Sequence, residues 1–340
     1  MTDTSELTYT PAWWVPGPHL QTLWGKLARR VADVPARLER WDTPDGDEIE
    51  LHRLDASDPN DPRIPRLLLL HGLEGTMRSH YLKGTLALAQ SRGWAADVLV
   101  FRGCGSRMNR ARRMYHSGET SDLAFVVERL VSEHPEQPLV LGGFSLGGNV
   151  LLKWLGERGR DLPPQLKGAV AMSVPFDLER GCRHIEQGFS RIYNRHFLRT
   201  LKVKAAKKLA QFPDAFDREA LESATTLYAF DDAVTAPVHG FKSASDYYSQ
   251  SSSLGFLSGI RTPTLLLSAI DDPFLPREVL DDVRIMAAYS GFLSLEFRSH
   301  GGHVGFVSGR LPFRGRFYGE ERMIEFLANR LRPEPPAAAR

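Results

Sequence analysis

Short, mostly apolar runs recur along the chain at "RLLLLHG" (66–72), "AADVLVFRG" (95–103), "PLVLGGF" (138–144), "KGAVAMSVPF" (167–176) and "TPTLLLSAIDD" (262–272), with a further strand-length stretch at "LSLEFRSH" (293–300). Each is short enough for a strand, and the mostly apolar ones suit strands of a covered parallel sheet. Between them lie stretches with helical spacing, "SHYLKGTLALAQSRG" (79–93), "TSDLAFVVERLVSEH" (120–134) and "LGGNVLLKWLGERG" (146–159), with two more near "REVLDDVRIMAA" and "EERMIEFLANRL". Strands alternating with amphipathic helices predict a mostly parallel central sheet with helices on both faces.

The alternation breaks near Asp177 and resumes near residue 262. The roughly eighty residues between, largely helical and rich in charged and aromatic side chains, read as a cap inserted over the strand C-terminal ends, where open α/β sheets bind ligands. Upstream, "RLERWDTPDGDEIELHRLD" alternates around Pro44-Asp45-Gly46 and predicts a hairpin. The first residues, with "WWVPGPHLQTLWGKL" at their centre, show no clear strand and are expected to pack on the main domain as an arm. The expected divisions are an arm (1–38), the first part of the core (39–176), a helical cap (177–260), the second part of the core (261–332) and a disordered tail (333–340).

The 340 residues can bury a large core, and 42% apolar with 25% charged residues is ordinary for a soluble globular protein. A net charge of +2 gives no reason to expect nucleic acid as a partner. Two cysteines, Cys104 and Cys182, are no disulfide framework and suit a reducing compartment. With no signal-like start and no apolar run near the roughly 18 residues of a membrane span, a cytoplasmic protein is expected.

"GGFSLGG" (142–148) leaves an apolar run and enters a helical pattern. Gly143-Phe144-Ser145-Leu146-Gly147 has the G-x-S-x-G form of a strand-to-helix elbow, whose glycines allow the tight turn and leave Ser145 exposed. A serine hydroxyl needs a base within hydrogen-bond reach and an acid to orient that base. In this fold the acid and then the histidine follow the serine. Asp271 and Asp272 end one later strand, and His300 and His303 end the next.

Asp272 is the preferred acid, because the Asp-Pro step turns the chain just after the strand. Asp271 reads as a loop carboxylate or helix cap. His303, after two glycines, can swing over the serine, and His300 reads as structural. His300 and His303 lack a third ligand at helical spacing, so no metal is expected, and no cofactor motif is present. Backbone N–H groups of Leu146 and of Leu73, in "HGLEG", would form the oxyanion hole. His71 is expected to order that loop, and Asn149 to support the elbow from its helix.

"PHLQTLWG" (18–25), "LLLLHGLEG" (67–75), "FRGCGS" (101–106), "YHSGETSDL" (115–123), "GFSLGGN" (143–149), "DDPF" (271–274) and "HGGHVGF" (300–306) resemble the YheT-like α/β hydrolases, bacterial relatives of the ABHD-type lipases and esterases. The resemblance runs through nearly the whole chain in order. It implies the α/β-hydrolase fold, a serine hydrolase activity, and Ser145, Asp272 and His303 as the triad. In "YHSGETSDL", Ser117 and Thr120 suit helix capping, and Glu119 and Asp122 a helix first turn. "FRGCGS" reads as a strand's exit loop, with nothing beside Cys104 to activate its thiol.

From Arg180 to Lys208 the chain carries nine Lys or Arg residues against the single acid Glu186, with Tyr193, Phe197, Leu201, Ala205 and Leu209 at four-residue spacing. Arg191, Arg195 and Arg199 fall on another face of this basic amphipathic helix. That face is either solvated or a peripheral contact with anionic lipid. The expected partner is a small-molecule or lipid ester, cleaved through an acyl-enzyme. Acyl transfer with the same triad, or lipid binding without catalysis, are the alternatives. Dehalogenation would need a carboxylate at the elbow. The oligomeric state is not legible.

Overall fold

The computed structural model describes residues 7–312 and 314–332. The expected tail, 333–340, lies outside the described residues.

The order of elements follows the alternation of the sequence. Helix α1 (Gly17–Ala28) precedes the hairpin β1 (Arg37–Asp42) and β2 (Glu48–Leu54), which turns at Thr43–Asp47 with Gly46 in the left-handed region (φ 79°). Then come β3 (Arg66–Leu70), α2 (His80–Ser91), β4 (Ala95–Val100), α3 (Ser121–Glu133), β5 (Leu139–Phe144), α4 (Leu146–Arg158) and β6 (Leu166–Met172). The stretch before the next strand is helical: α5 (Leu178–Ile185), α6 (Arg191–Gln211), α7 (Arg218–Ser223), α8 (Leu227–Phe230), a π-helical turn (Asp231–Thr235), α9 (Ala236–His239) and α10 (Ala244–Ser251). The chain closes with β7 (Thr264–Ala269), α11 (Arg277–Ala287), β8 (Leu293–Arg298), the two-residue pair β9 (Val307–Ser308) and β10 (Arg316–Phe317), and α12 (Tyr318–Arg330).

Eight strands form one sheet in the order β1-β2-β4-β3-β5-β6-β7-β8. β1, β2 and β4 pair antiparallel, and every pairing from β4 to β8 is parallel. β3, β4, β5 and β7 are buried throughout, which explains their largely apolar sequences. β8, at the edge, is only partly covered.

The N-terminal segment was expected to be an arm with no clear strand. It contains the helix α1, together with a single bridge from Pro11 to Ser308. Helical patterning was invisible there because the buried residues of α1 are Gln21 and Gly25, while Leu20 and Leu27 point to solvent. Gln21 donates to the carbonyls of Val15 and Val307 and accepts from Val307 N–H, joining α1 to β9.

The basic stretch 180–208 needs a larger correction. Lys204 and Lys208 turn inward: Lys208 is fully buried and donates to the carbonyls of Asn109 and Ala111, and Lys204 donates to Glu74. Arg180 pairs with Asp177 and Asp282, and Arg183 with Glu179, acids lying outside the stretch. Arg191, Arg195 and Arg199 remain exposed, while Tyr193, Ala205 and Leu209 of the same helix are buried. Among the described residues no helix is long and apolar enough to cross a membrane.

Candidate active site

The loops that follow β3, β5, β7 and β8 converge at the C-terminal edge of the sheet. Between β5 and α4 the chain turns at Ser145, whose backbone has φ 52° and ψ −121°, a conformation costly for a residue with a side chain. Gly143 and Gly147 make the turn possible. A Cβ on Gly143 would stand 2.6 Å from the carbonyl oxygen of Gly147, and one on Gly147 would stand 2.5 Å from that of His71. Ser145 N–H donates to Met172 O at 2.8 Å, fixing the elbow to β6.

His303 reaches the serine from the loop after β8. Its Nε2 lies 2.9 Å from Ser145 Oγ, and its Nδ1 lies 2.9 and 3.1 Å from the carboxylate oxygens of Asp272. With Nδ1–H donating to the carboxylate, Nε2 is left to accept from the hydroxyl. Asp272 is buried and also accepts from Phe274 N–H, which fixes its plane. The Phe274 ring stacks on the imidazole at 4.1 Å between centroids.

Asp271, expected to be a solvated carboxylate or a cap, does something else. It accepts from Gly302 N–H at 2.9 Å and lies 3.3 Å from His300 Nδ1, so it holds the turn that presents His303. His300 is exposed and does not approach Ser145.

Leu73 and Leu146 both line the space in front of Ser145. The Gly72 backbone passes so close that a Cβ there would stand 3.1 Å from Ser145 Cβ. Leu146 is the first residue of α4, where helix N–H groups have no intrahelical partner. His71 orders this loop as expected: buried, it donates from Nδ1 to Gly72 O and accepts Phe101 N–H at Nε2. Burial lowers its pKa to about 4, so it is neutral. Asn149 is also buried and bonds Ser117 O, Ser251 O and Ser253 N–H, tying α4 to the loops around it.

Two contacts had no role assigned from sequence, and one assigned role changes. Thr22 of α1 accepts His303 N–H at 2.9 Å, within the motif "PHLQTLWG" that carried the signal. Glu74 has a left-handed backbone (φ 57°), its N–H bonds Tyr115 Oη, and its carboxylate accepts from Tyr115 and Lys204. Thr120 does not cap α3; the Glu119 carboxylate accepts Ser121 N–H instead, and Asp122 pairs with buried Arg102. Burial pushes the Cys104 thiol up to about 11, keeping it protonated.

Ser145 sits between two spaces. One is a cavity of about 150 Å³ with walls from Leu178, Ile185, Phe197, Leu201 and Phe230, all between β6 and β7. The other is an open groove past His303, bounded by α1, the Gly72–Tyr81 loop and the start of α6. No group of His, Cys, Asp and Glu able to hold a metal occurs among the described residues.

An eight-stranded, mostly parallel sheet with a serine elbow, a histidine and an acid at its C-terminal edge defines the α/β-hydrolase class. The chain belongs to the alpha/beta hydrolase fold family, whose model matches residues 65–309, and to its YheT-like branch. It is 39% identical to YheT of Escherichia coli (strain K12), over 92% of this chain and 91% of that protein. It is 29% identical to phospholipase ABHD3 of Mus musculus, covering 90% of this chain and 74% of the relative. The monoacylglycerol lipase of Saccharomyces cerevisiae is 30% identical over 79% of this chain and 61% of its own length. The fold is also that of esterase Pf2001 from Pyrococcus furiosus, with a TM-score of 0.57 at 16% identity, covering 89% and 96% of the two chains.

Proposed function

We propose that the protein hydrolyses carboxylic esters, of lipids or small molecules, through an acyl-enzyme on Ser145. The observation that carries this reading is the unbroken hydrogen-bond chain from Ser145 Oγ through His303 to Asp272, opening onto an apolar cavity. The lipase and phospholipase relatives support it.

Ser145 Oγ attacks the ester carbonyl as His303 Nε2 takes its proton, and the Asp272 carboxylate stabilises the imidazolium. The carbonyl oxygen, now an oxyanion, is met by the N–H groups of Leu73 and Leu146. Collapse expels the alkoxide, which takes the proton from His303 and leaves through the open groove. The acyl group stays in the cavity, with the segment 177–260 acting as its cap. Water then enters by the groove, gives its proton to His303 and attacks the acyl carbon. The carboxylic acid departs and Ser145 recovers its proton.

Ser145→Ala should abolish both fluorophosphonate labelling and ester turnover, because among the described residues no other nucleophile meets His303 Nε2. Its thermal unfolding should stay within a few degrees of wild type. A variant that kept most of the wild-type turnover would remove Ser145 from the reaction.

A further inference from the structure

The acyl cavity is not apolar all round. Cys182, Asp231, Thr235 and Tyr248, all from the segment between β6 and β7, give it a polar wall. Asp231 opens the π-helical turn, a form of backbone often found at functional sites. One oxygen of its carboxyl accepts from Thr235 Oγ1 at 2.5 Å and the other from Tyr248 Oη at 2.6 Å. Tyr248 Oη is also 3.2 Å from Cys182 Sγ.

No basic side chain among the described residues pairs with Asp231. The basic groups that share the cavity are engaged elsewhere, Arg102 with Asp45, Asp47 and Asp122, and Lys204 with Glu74. His116 and His239 are held neutral by burial, with pKa values lowered to about 3 and about 4. A half-buried acid without a cation lowers stability, and a leucine would suit the neighbouring Leu178, Ile185 and Phe230 better. A carboxylate offers about four lone-pair sites. Two are used here, which leaves acceptor capacity at the cavity wall.

We propose that Asp231, with Thr235 and Tyr248 orienting it, is a recognition site for a hydroxyl group carried on the acyl chain of the substrate. The inference rests on the ester-hydrolase reading of Ser145 and adds the substrate class. A hydroxyl satisfies the free acceptor at little desolvation cost. A terminal methyl would leave it unpaired against hydrocarbon. An ammonium would have to leave water for a single carboxylate between apolar walls. The cavity of about 150 Å³ is small beside the roughly 300–1,000 Å³ of pockets for drug-sized ligands. The hydroxyl therefore belongs on a short chain.

The test compares para-nitrophenyl esters of short straight acyl chains ending in a hydroxyl, a methyl or an amine, over a series of lengths. At the fitting length, kcat/KM for the hydroxyl ester should exceed that for the methyl ester by at least about tenfold. A site built around a hydrogen bond discriminates strongly against an analogue lacking it. Asp231→Leu should lose the hydroxyl preference and gain on the methyl ester. Tyr248→Phe, which removes only one orienting bond, should reduce the preference and serves as the readout if Asp231→Leu fails to fold. Equal turnover of hydroxyl and methyl esters at every length, or preference for the amine, overturns the proposal while leaving Ser145 as nucleophile. Absence of any turnover together with absence of fluorophosphonate labelling overturns both.

Discussion

Asp271 and Asp272 are adjacent, chemically identical, and set to different work by the direction of one turn. Asp272 faces His303 Nδ1, whereas Asp271 holds the Gly302 amide on the far side of the same loop. Asp272→Asn should lower kcat by about 10⁴, because an amide can stabilise the wrong imidazole tautomer. Asp271→Asn keeps an oxygen for the Gly302 amide and should cost far less; steady-state kinetics giving the reverse ranking would reassign the acid. Asp231 makes a prediction about pH. Burial lifts its carboxyl from the usual 3.8 to about 6, so the folded state binds its proton more tightly than the unfolded chain does. Its contribution to stability is complete below about pH 3.8 and is lost as pH rises through about 6. Relative to Asp231→Asn, wild type should therefore lose up to about 3 kcal/mol between acid and mildly alkaline buffer. Urea unfolding of both proteins across that range measures it, and a pH-independent difference would mean that Asp231 is not desolvated in this way.

Among the elements, the central strands were legible because β3, β5 and β7 are buried on both faces, so "LLLL", "LVLGG" and the "LLL" of β7 carry no polar interruption. The elbow was legible for a related reason: backbone closer than a Cβ allows leaves glycine in the sequence at 143 and 147. α1 was not legible, since it docks through Gln21 and Gly25 rather than an apolar stripe. The inward turn of Lys208 was hidden too, because a lysine reads as solvent until three oxygen acceptors are seen around it. The order of acid and histidine narrowed the candidates to Asp271 or Asp272 and His300 or His303, but the support from α1 needed coordinates. Thr22 donates to Pro18 O while accepting His303 N–H, so α1 fixes the histidine loop. Thr22→Val should lower kcat by up to about fivefold, the worth of about one hydrogen bond of roughly 1 kcal/mol. Thr22→Ser keeps both bonds and should restore it. Wild-type kcat in the valine variant would show that the loop holds itself.

For the molecule as a whole, charge is nearly balanced at +2, so any attraction to an anionic surface must be local. The open groove leading to Ser145 is rimmed by Leu27, Phe189 and Ile192, each more than half exposed, beside exposed Lys26, Arg30 and Arg78. Arg191, Arg195 and Arg199 extend the basic character along the solvent side of α6. Apolar side chains among cations are what an anionic lipid interface rewards, and here they surround the route to the serine. The inward lysines and the paired Arg180 and Arg183 make this patch smaller than the sequence count of nine suggested. The protein is therefore predicted to cosediment with anionic vesicles more strongly than with neutral ones. Raising the salt should weaken that binding, since exposed charges are screened over about 8 Å at physiological ionic strength. Each cation near the surface contributes about 1 kcal/mol. Replacing Arg191, Arg195 and Arg199 together with glutamine should cut vesicle binding by at least about tenfold while leaving hydrolysis of a soluble ester unchanged. Equal sedimentation with neutral and anionic vesicles at low salt would reduce these charges to a solvated helix face, and a water-soluble ester would then be the better substrate.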